Sequence, residues 1–142
     1  MAILSSEYQT KGVDSTQSAA DAVESAKILC QKYKSVICVS GETDYIVSED
    51  QIAMIHNGHK LMSMVTGMGC TATALIGAFA AVVGNNFEAA ISGMALMGIA
   101  GELAYTDSKG PGSLQMHFYD KLYNLTKEEF FKTIKLKTGK YV

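Results

Sequence analysis

Apolar residues at helical spacing mark the first clear element of this chain. They begin after Ser15 or Thr16, either of which suits an N-cap, and continue to Leu29, so a helix is predicted there. The next apolar residues form a short continuous run at 35–40, which is typical of a strand buried on both faces. The first elements expected are therefore a helix and a buried strand.

Shorter apolar runs and turn residues follow this strand. The runs at 45–48 and 51–55 are separated by Glu49-Asp50, and this arrangement predicts a β-hairpin. Asn57-Gly58 predicts another turn directly afterwards. A hairpin next to the first strand places several strands close together in the sequence, as expected for one sheet.

Long apolar segments dominate the second half of the chain. The run at 70–83 has no charge, proline or internal turn pair, so it is predicted as a buried helix. The segment at 87–105 carries small residues at helical spacing, which suits a helix packed between two layers. Gly110–Ser113 ends that pattern, and Ser113 is the expected N-cap of a further helix.

The remaining elements complete an α/β order. Thr126, followed three residues later by Glu129, has the capping-box pattern of a helix start, and the basic tail at 134–142 predicts a terminal strand. Helix, strand, hairpin and several helices indicate the α/β class. A doubly wound sheet needs about 5–6 strands to cover so many apolar helices. The chain is therefore expected to be part of a larger domain, or to pair with a partner that completes its sheet.

Composition narrows the class of protein. The 142 residues suffice for one domain with its own core, and 48% hydrophobic with 18% charged residues is the profile of a soluble globular protein. A net charge of −2 supplies no electrostatic argument for a nucleic acid or an anionic membrane as partner. An odd number of cysteines without a secretory leader indicates a reducing, cytoplasmic setting.

The strongest local signal is Thr66-Gly67-Met68-Gly69-Cys70, a Gly-x-Gly turn that leads directly into the apolar run. Glycines adopt backbone angles that other residues avoid, and they leave the main chain accessible to a ligand. The first N–H groups of a helix lack helical partners and lie at the positive end of its dipole, so they suit an anion. Thiols ionise more readily at such a position. Cys70 beside an anion site suggests phosphoryl transfer, with a plain tight turn as the alternative.

Short motifs are spread over nearly the whole chain: Lys11–Ser15, Val39–Asp44, Asn57–His59, Thr66–Cys70, Gly101–Ala104, Gly110–Ser113 and Asp120–Tyr123. Together and in this order they resemble hydroxyethylthiazole kinases of the ribokinase-like superfamily. The resemblance implies an incomplete three-layer α/β/α sandwich, in which residues 1–142 are the C-terminal portion of one kinase domain. It also implies transfer of the ATP γ-phosphate to the hydroxyl of 4-methyl-5-(2-hydroxyethyl)thiazole, with Mg²⁺ as cofactor, by a homotrimer.

The resemblance assigns roles to individual residues. Cys70 occupies the position of the aspartate base in most ribokinase-like relatives, so its thiol would orient or deprotonate the substrate hydroxyl. Ser40 matches an ATP-contacting position at the end of a strand, and Gly67 matches a position beside the thiazole alcohol. The anion hole for the transferred phosphoryl group would consist of Gly67, Met68, Gly69 and Cys70. The metal ligands are unknown, because the resemblance assigns them to a part of the family domain outside this chain.

The residues leave two other functions open. One is a non-catalytic chain that keeps the fold without a complete site, and the other is a kinase for another small alcohol, such as a pyrimidine or a sugar. Glu42 and Asp44 are expected in a solvated turn, with the ordering of magnesium-bound water as the alternative. Cys30 and Cys38 are expected in the core. Glu102, within an apolar helix, requires a partner if it is buried.

Overall fold

The computed structural model describes residues 19–140, with side chains from residue 21 onward. The helices are α1 (Ala19–Tyr33), α2 (Met68–Ala80), α3 (Asn86–Thr106), α4 (Pro111–Asn124) and α5 (Lys127–Thr133). The strands are β1 (Ile37–Val39), β2 (Asp44–Val47), β3 (Gln51–Ile55) and β4 (Leu136–Lys140). A short 3₁₀ helix, Lys60–Met64, precedes α2. The predicted N-cap of the first helix and the Lys11–Ser15 motif lie outside the described residues.

The strands form one antiparallel sheet in the order β1-β2-β3-β4. The predicted hairpin is confirmed: Val47 of β2 lies opposite Ile52 of β3, and the Ser48 N–H donates a 2.9 Å hydrogen bond to the Gln51 carbonyl across the turn. The predicted terminal strand is confirmed as β4, which pairs with β3 along the whole of both strands. The basic tail is thereby joined to the hairpin.

Helices cover both faces of this sheet. On one face, α1 packs through Ala26 and Cys30 against Val47, and the Cys30 thiol donates a 3.0 Å hydrogen bond to the Val47 carbonyl. On the other face, Ile46 and Ile55 belong to a larger core that includes residues of α3 and α4. The predicted α/β class and α/β/α layering are confirmed. Burial of apolar surface on both sides of the sheet is the main favourable contribution to such a fold.

Strand β1 is less buried than predicted. All of its residues are half-buried, whereas the apolar run at 35–40 predicts a strand covered on both faces. Within the described residues β1 lies at the edge of the sheet and pairs only with β2. An edge strand lacks the side-chain neighbours that a second flanking strand supplies. The prediction of full burial is therefore wrong for this chain.

Helix α2 departs furthest from the prediction. It begins at Met68 rather than at residue 70, and only Ala72 is buried. Among the described elements, α3 is the one against which α2 packs extensively. A Cβ added at Gly93 of α3 would lie 2.7 Å from Ile76 Cγ1, so the two helices are in close contact on that side. The other side of α2 is exposed, and the prediction of a buried helix is wrong.

Helix α3 is the core helix of the fold. The Asn85 side chain caps it by accepting hydrogen bonds from the N–H groups of Phe87 (2.8 Å) and Glu88 (3.2 Å). By length and composition α3 could cross a membrane, with a mean hydropathy of 1.3, but 67% of the apolar window is buried inside the fold. Its small residues allow the close packing between layers that the sequence predicts.

Two helix starts show how local signals compare with the structure. At α5, the Thr126 hydroxyl accepts a 3.2 Å hydrogen bond from the Glu129 N–H, and the predicted capping box is confirmed. At α4, the helix begins at Pro111, so the prediction of Ser113 as N-cap is wrong. The fixed φ of proline suits the first helical position. The Ser113 hydroxyl instead accepts a 3.1 Å hydrogen bond from the N–H of Gly110, the actual N-cap.

Candidate active site at the start of helix α2

Gly67 turns the chain into α2. Its φ of +93° and ψ of −3° are left-handed, a conformation that favours glycine. The first helical hydrogen bond runs from the Thr71 N–H to the Gly67 carbonyl, at 3.0 Å. The N–H groups of Met68, Gly69 and Cys70 precede that bond and have no helical acceptor. They form the type of backbone site that binds an anion.

The surroundings of this turn leave the N–H groups accessible. A Cβ added at Gly67 or Gly69 would have no heavy atom within 4 Å among its described neighbours. The hydroxyls of Thr71 and Thr73 donate to the carbonyls of Gly67 (3.1 Å) and Gly69 (3.0 Å), which occupies acceptors and leaves the donors free. The turn therefore presents donors to an open surface.

Cys70 is the third residue of α2 rather than the first. It is exposed, and its backbone N–H is one of the free donors. The thiol and the candidate anion site thus belong to the same first turn of one helix. This arrangement could place an ionisable sulfur beside a bound phosphoryl group.

Helix α3 holds the segment that leads into this turn. Asn57 is 5% exposed, and its side-chain amide donates to Glu102 Oε2 at 3.0 Å and to the Thr133 carbonyl at 2.9 Å. The Asn57 side-chain oxygen accepts a 2.7 Å hydrogen bond from the Lys135 N–H. A Cβ at Gly98 would lie 2.8 Å from the Asn57 carbonyl oxygen, so α3 and the Asn57-Gly58 turn are in close contact.

Glu102 has the partners that its place in an apolar helix requires. Besides Asn57, its carboxylate accepts from the Gly58 N–H at 3.4 Å and from Lys135 Nζ at 2.5 Å. Burial acts to raise the pKa of Glu102, but the hydrogen bonds from Lys135 and Asn57 outweigh it and lower that pKa. The ionised carboxylate therefore ties α3 to the turn and to the start of β4.

His59 continues the same contact one helical turn further along α3. Its ring stacks on Tyr105 with centroids 3.4 Å apart, and its Nδ1 accepts a 3.1 Å hydrogen bond from the Leu61 N–H. A structural role for His59, as expected from the sequence, agrees with these contacts. Asn57 to His59 are thus held by α3, and the chain then passes through the 3₁₀ helix to Gly67.

Ser40 lies on a different element from the start of α2, in the turn between β1 and β2. It is exposed and directly follows β1. In the described part of the chain no hydrogen bond joins it to the segment from Gly67 to Cys70. The four residues of the predicted anion hole follow one another at the start of α2, while Ser40 lies on a separate element.

Asp44 does not lie in a solvated turn, so that expectation is wrong. It is the first residue of β2 and is buried, whereas Glu42 is exposed as expected. Burial raises the pKa of Asp44 to about 6, opposed in part by the Gly41 N–H, which donates to Oδ1 at 3.0 Å. Burial, with a contribution from the nearby Asp44 charge, raises the pKa of Cys38 to about 12.

The described residues do not cluster as magnesium ligands would. Between residues 19 and 140, no group of three histidine, cysteine, aspartate or glutamate side chains could hold a metal ion. Asp44 is buried and accepts from Gly41, and Glu42 is exposed alone on its turn. These residues do not form a protein-built magnesium site.

Comparison with known proteins identifies the family of this chain. Residues 1–128 match the model of the hydroxyethylthiazole kinase family. The chain belongs to this family. It is 51% identical over 131 residues to a hydroxyethylthiazole kinase of Syntrophus aciditrophicus, covering 92% of this chain and 48% of the relative. It is 44% identical over 136 residues to that of Vibrio parahaemolyticus, covering 96% and 51%.

A solved structure supports the fold. The hydroxyethylthiazole kinase protein from Pyrococcus horikoshii OT3 superposes with a TM-score of 0.81 at 32% identity, covering 84% of this chain and 47% of that one. The partial ribokinase-like fold implied by the sequence resemblance is thereby confirmed. The chain spans about half the length of the curated relatives and of the solved structure that it matches.

Sequence reasoning did not find the contact between Asn57 and Glu102. The two residues are 45 positions apart and belong to separate motifs. A signal was present, because a lone glutamate in an apolar helix requires a partner. The sequence contains no information that identifies that partner without the fold.

Proposed function

We propose that the chain functions in ATP-dependent phosphorylation of the hydroxyl of 4-methyl-5-(2-hydroxyethyl)thiazole, a step of thiamine salvage. The observation that carries the proposal is the start of α2, where free N–H groups and the Cys70 thiol share one helical turn in a member of this kinase family. A backbone anion site is the arrangement that phosphoryl transfer requires.

Each residue of the site has a proposed task. The N–H groups of Met68, Gly69 and Cys70 donate to the oxygens of the transferred phosphoryl group, and Gly67 sets the turn beside the thiazole alcohol. The Cys70 sulfur orients that hydroxyl or accepts its proton. Ser40 contacts ATP from the β1–β2 turn. Positioning and charge stabilisation supply most of the rate in this reaction, so Cys70 contributes only part of it.

The wider setting is also proposed. Residues 1–142 form the C-terminal portion of one ribokinase-like kinase domain, which agrees with the share of the relatives that they cover. Mg²⁺ would arrive with ATP and would supply neutralisation of phosphate charge, and no residue of this chain is assigned as its ligand. The working form is a cytoplasmic homotrimer with a small-molecule substrate and with neither nucleic acid nor membrane as partner, as the family resemblance implies.

A non-catalytic role is the second candidate, and one observation favours it. The chain covers only about half of the length of each relative. A chain of this kind would keep the fold and the anion site but not turn over substrate.

One experiment separates the two candidates. ADP formation is measured with ATP, Mg²⁺ and the thiazole alcohol, first for the 142-residue chain. It is then measured for a chimera in which this chain is joined to the half of the Syntrophus aciditrophicus kinase that it does not match. Thiazole-dependent ADP formation by the chimera is expected. A folded chimera without it would overturn the kinase proposal, and faster turnover with a pyrimidine or sugar alcohol would overturn the choice of substrate.

A further inference from the structure

Asp44, where the β1–β2 turn meets β2, carries a carboxylate that the proposed chemistry does not use. Val39 lies opposite Tyr45, so Ser40 and Asp44 flank the three residues that close the turn. The Gly41 N–H donates to Asp44 Oδ1 at 3.0 Å. This bond ties the residue directly after Ser40 to the start of β2, so it restricts the position of Ser40 as well.

Asp44 is buried without the partners that usually accompany a buried charge. It is 7% exposed and lies opposite the fully buried Ile55 of β3. No lysine, arginine or histidine forms an ion pair with it in the described part of the chain. Aspartate is rarely buried in this way without a pairing partner.

The titratable groups around Asp44 do not offset the energetic cost of burying its carboxylate. Cys38 on β1 is close enough for the Asp44 charge to contribute to its raised pKa, and a thiol supplies no positive charge to pair with the carboxylate. His56, just after β3, contacts the Thr43 hydroxyl through Nδ1 at 3.1 Å, and Glu42 in the same turn is exposed. The raised pKa of Asp44 agrees with this isolation, because burial is its largest cause. A carboxylate buried without an ion-pair partner beside a proposed ligand contact is the pattern expected of a functional position.

We propose that Asp44 is a positioning residue, which holds the β1–β2 turn through the Gly41 N–H so that Ser40 meets the nucleotide. The proposal rests on the proposed kinase function, and specifically on the ATP contact of Ser40. Asp44 acts here as a hydrogen-bond acceptor of fixed position and does not touch the reacting atoms.

Two removal variants and one conservative variant test this role. Asp44→Ala removes the acceptor, and Asp44→Leu removes it while filling the volume, in case the alanine variant does not fold. Asp44→Asn keeps an oxygen that can accept from Gly41. Glu42→Ala is the matched control, since it removes an exposed carboxylate from the same turn.

The first readout is hydrogen exchange of the Gly41 amide, measured by NMR on the full chain. Exchange is expected to accelerate about tenfold or more in the removal variants and to stay near wild type in Asp44→Asn and Glu42→Ala. Unchanged exchange in a folded removal variant would overturn the proposal without bearing on the kinase function.

The second readout is the KM for ATP in the chimera. The removal variants are expected to raise it about tenfold, while the KM for the thiazole alcohol stays within about twofold and Asp44→Asn restores the wild-type value. An unchanged ATP KM in the removal variants, or an equal loss in Asp44→Asn, would overturn the positioning role. A wild-type chimera without activity would overturn the kinase function and, with it, the nucleotide part of this proposal.

Discussion

Helices α2 and α3 have similar amino-acid compositions but different environments. Both are apolar and rich in small residues, yet twelve residues of α3 are buried and only Ala72 of α2 is. The sheet, α2 and α4 all contact α3, whereas α2 packs extensively against α3 alone among the described elements. Apolar composition makes burial favourable, but the number of neighbours decides whether it occurs. In this chain α3 supports the fold, and α2 presents its first turn to the surface.

The largest effect is expected at the exposed start of α2. Gly67→Ala in the chimera should displace the N–H donors of Met68, Gly69 and Cys70 and so lower kcat about 100-fold or more, the loss typical of an oxyanion-hole donor. The reason is its φ of +93°, which alanine adopts only with strain although an added Cβ has space. Gly77→Ala on the same helix, also with an open Cβ position, should leave kcat unchanged. Turnover of Gly67→Ala at the wild-type rate would show that the start of α2 is not part of the active site.

The next effect concerns the buried contact between the two helices. Gly93→Ala should lower the free energy of unfolding by about 2 kcal/mol, since overpacked cores lose about 1–3 kcal/mol. Its Cβ would lie 2.7 Å from Ile76 Cγ1 and 2.9 Å from Ile76 Cα. Gly77→Ala, on the open side of α2, should instead raise stability by about 0.5–1 kcal/mol through helix propensity. Urea unfolding measures the change in the free energy of unfolding for each variant. Equal changes would show that the two helices are equally packed at these positions.

A smaller effect is expected where α3 holds the Asn57-Gly58 turn. Glu102→Gln should cost about 1 kcal/mol at neutral pH, because Lys135 is half-exposed and the ion pair is screened. The lowered pKa of Glu102 gives the sign of the pH dependence: its contribution is present above the ordinary carboxyl pKa and is lost as the pH falls through the lowered value.

Unfolding measured between acidic and neutral pH tests this assignment. The wild type should lose stability on acidification more steeply than Glu102→Gln does. Asp107→Asn is the control, since it removes a more exposed carboxylate, which pairs with Lys121, and it should change stability less. Identical pH profiles for wild type and Glu102→Gln would contradict the role of the ionised Glu102 carboxylate.

The smallest effect is expected at the Cys70 thiol. Cys70→Asp should keep thiazole-dependent activity within about tenfold in the chimera, because an exposed carboxylate can serve the same hydroxyl and the base supplies only part of the rate. Stability should change little at this exposed position. Complete loss of activity in a folded variant would count against Cys70 as the base.

Local sequence signals predicted the helices and strands well, but they could not predict contacts between residues far apart in the chain. The capping box requires only that Thr126 and Glu129 are three residues apart, and this capping box is present in the structure. Ser113 failed as a cap because Pro111, two residues earlier, suits the first helical position. Turn chemistry is local and predicts a solvated Asp44, whereas the burial of Asp44 depends on β3 and on the core beneath the sheet.

The sequence by itself determined the α/β class, the order of the helices and strands, the glycine turn before α2 and the family. These follow from periodicity, turn residues and motif order, all of which act over short distances along the chain. Only the tertiary structure decided that α3 is covered and α2 is open, that Glu102 meets Asn57, and that Asp44 is buried beside Ser40. The reason is that burial and polar partners depend on residues far apart in the chain, which packing alone brings together.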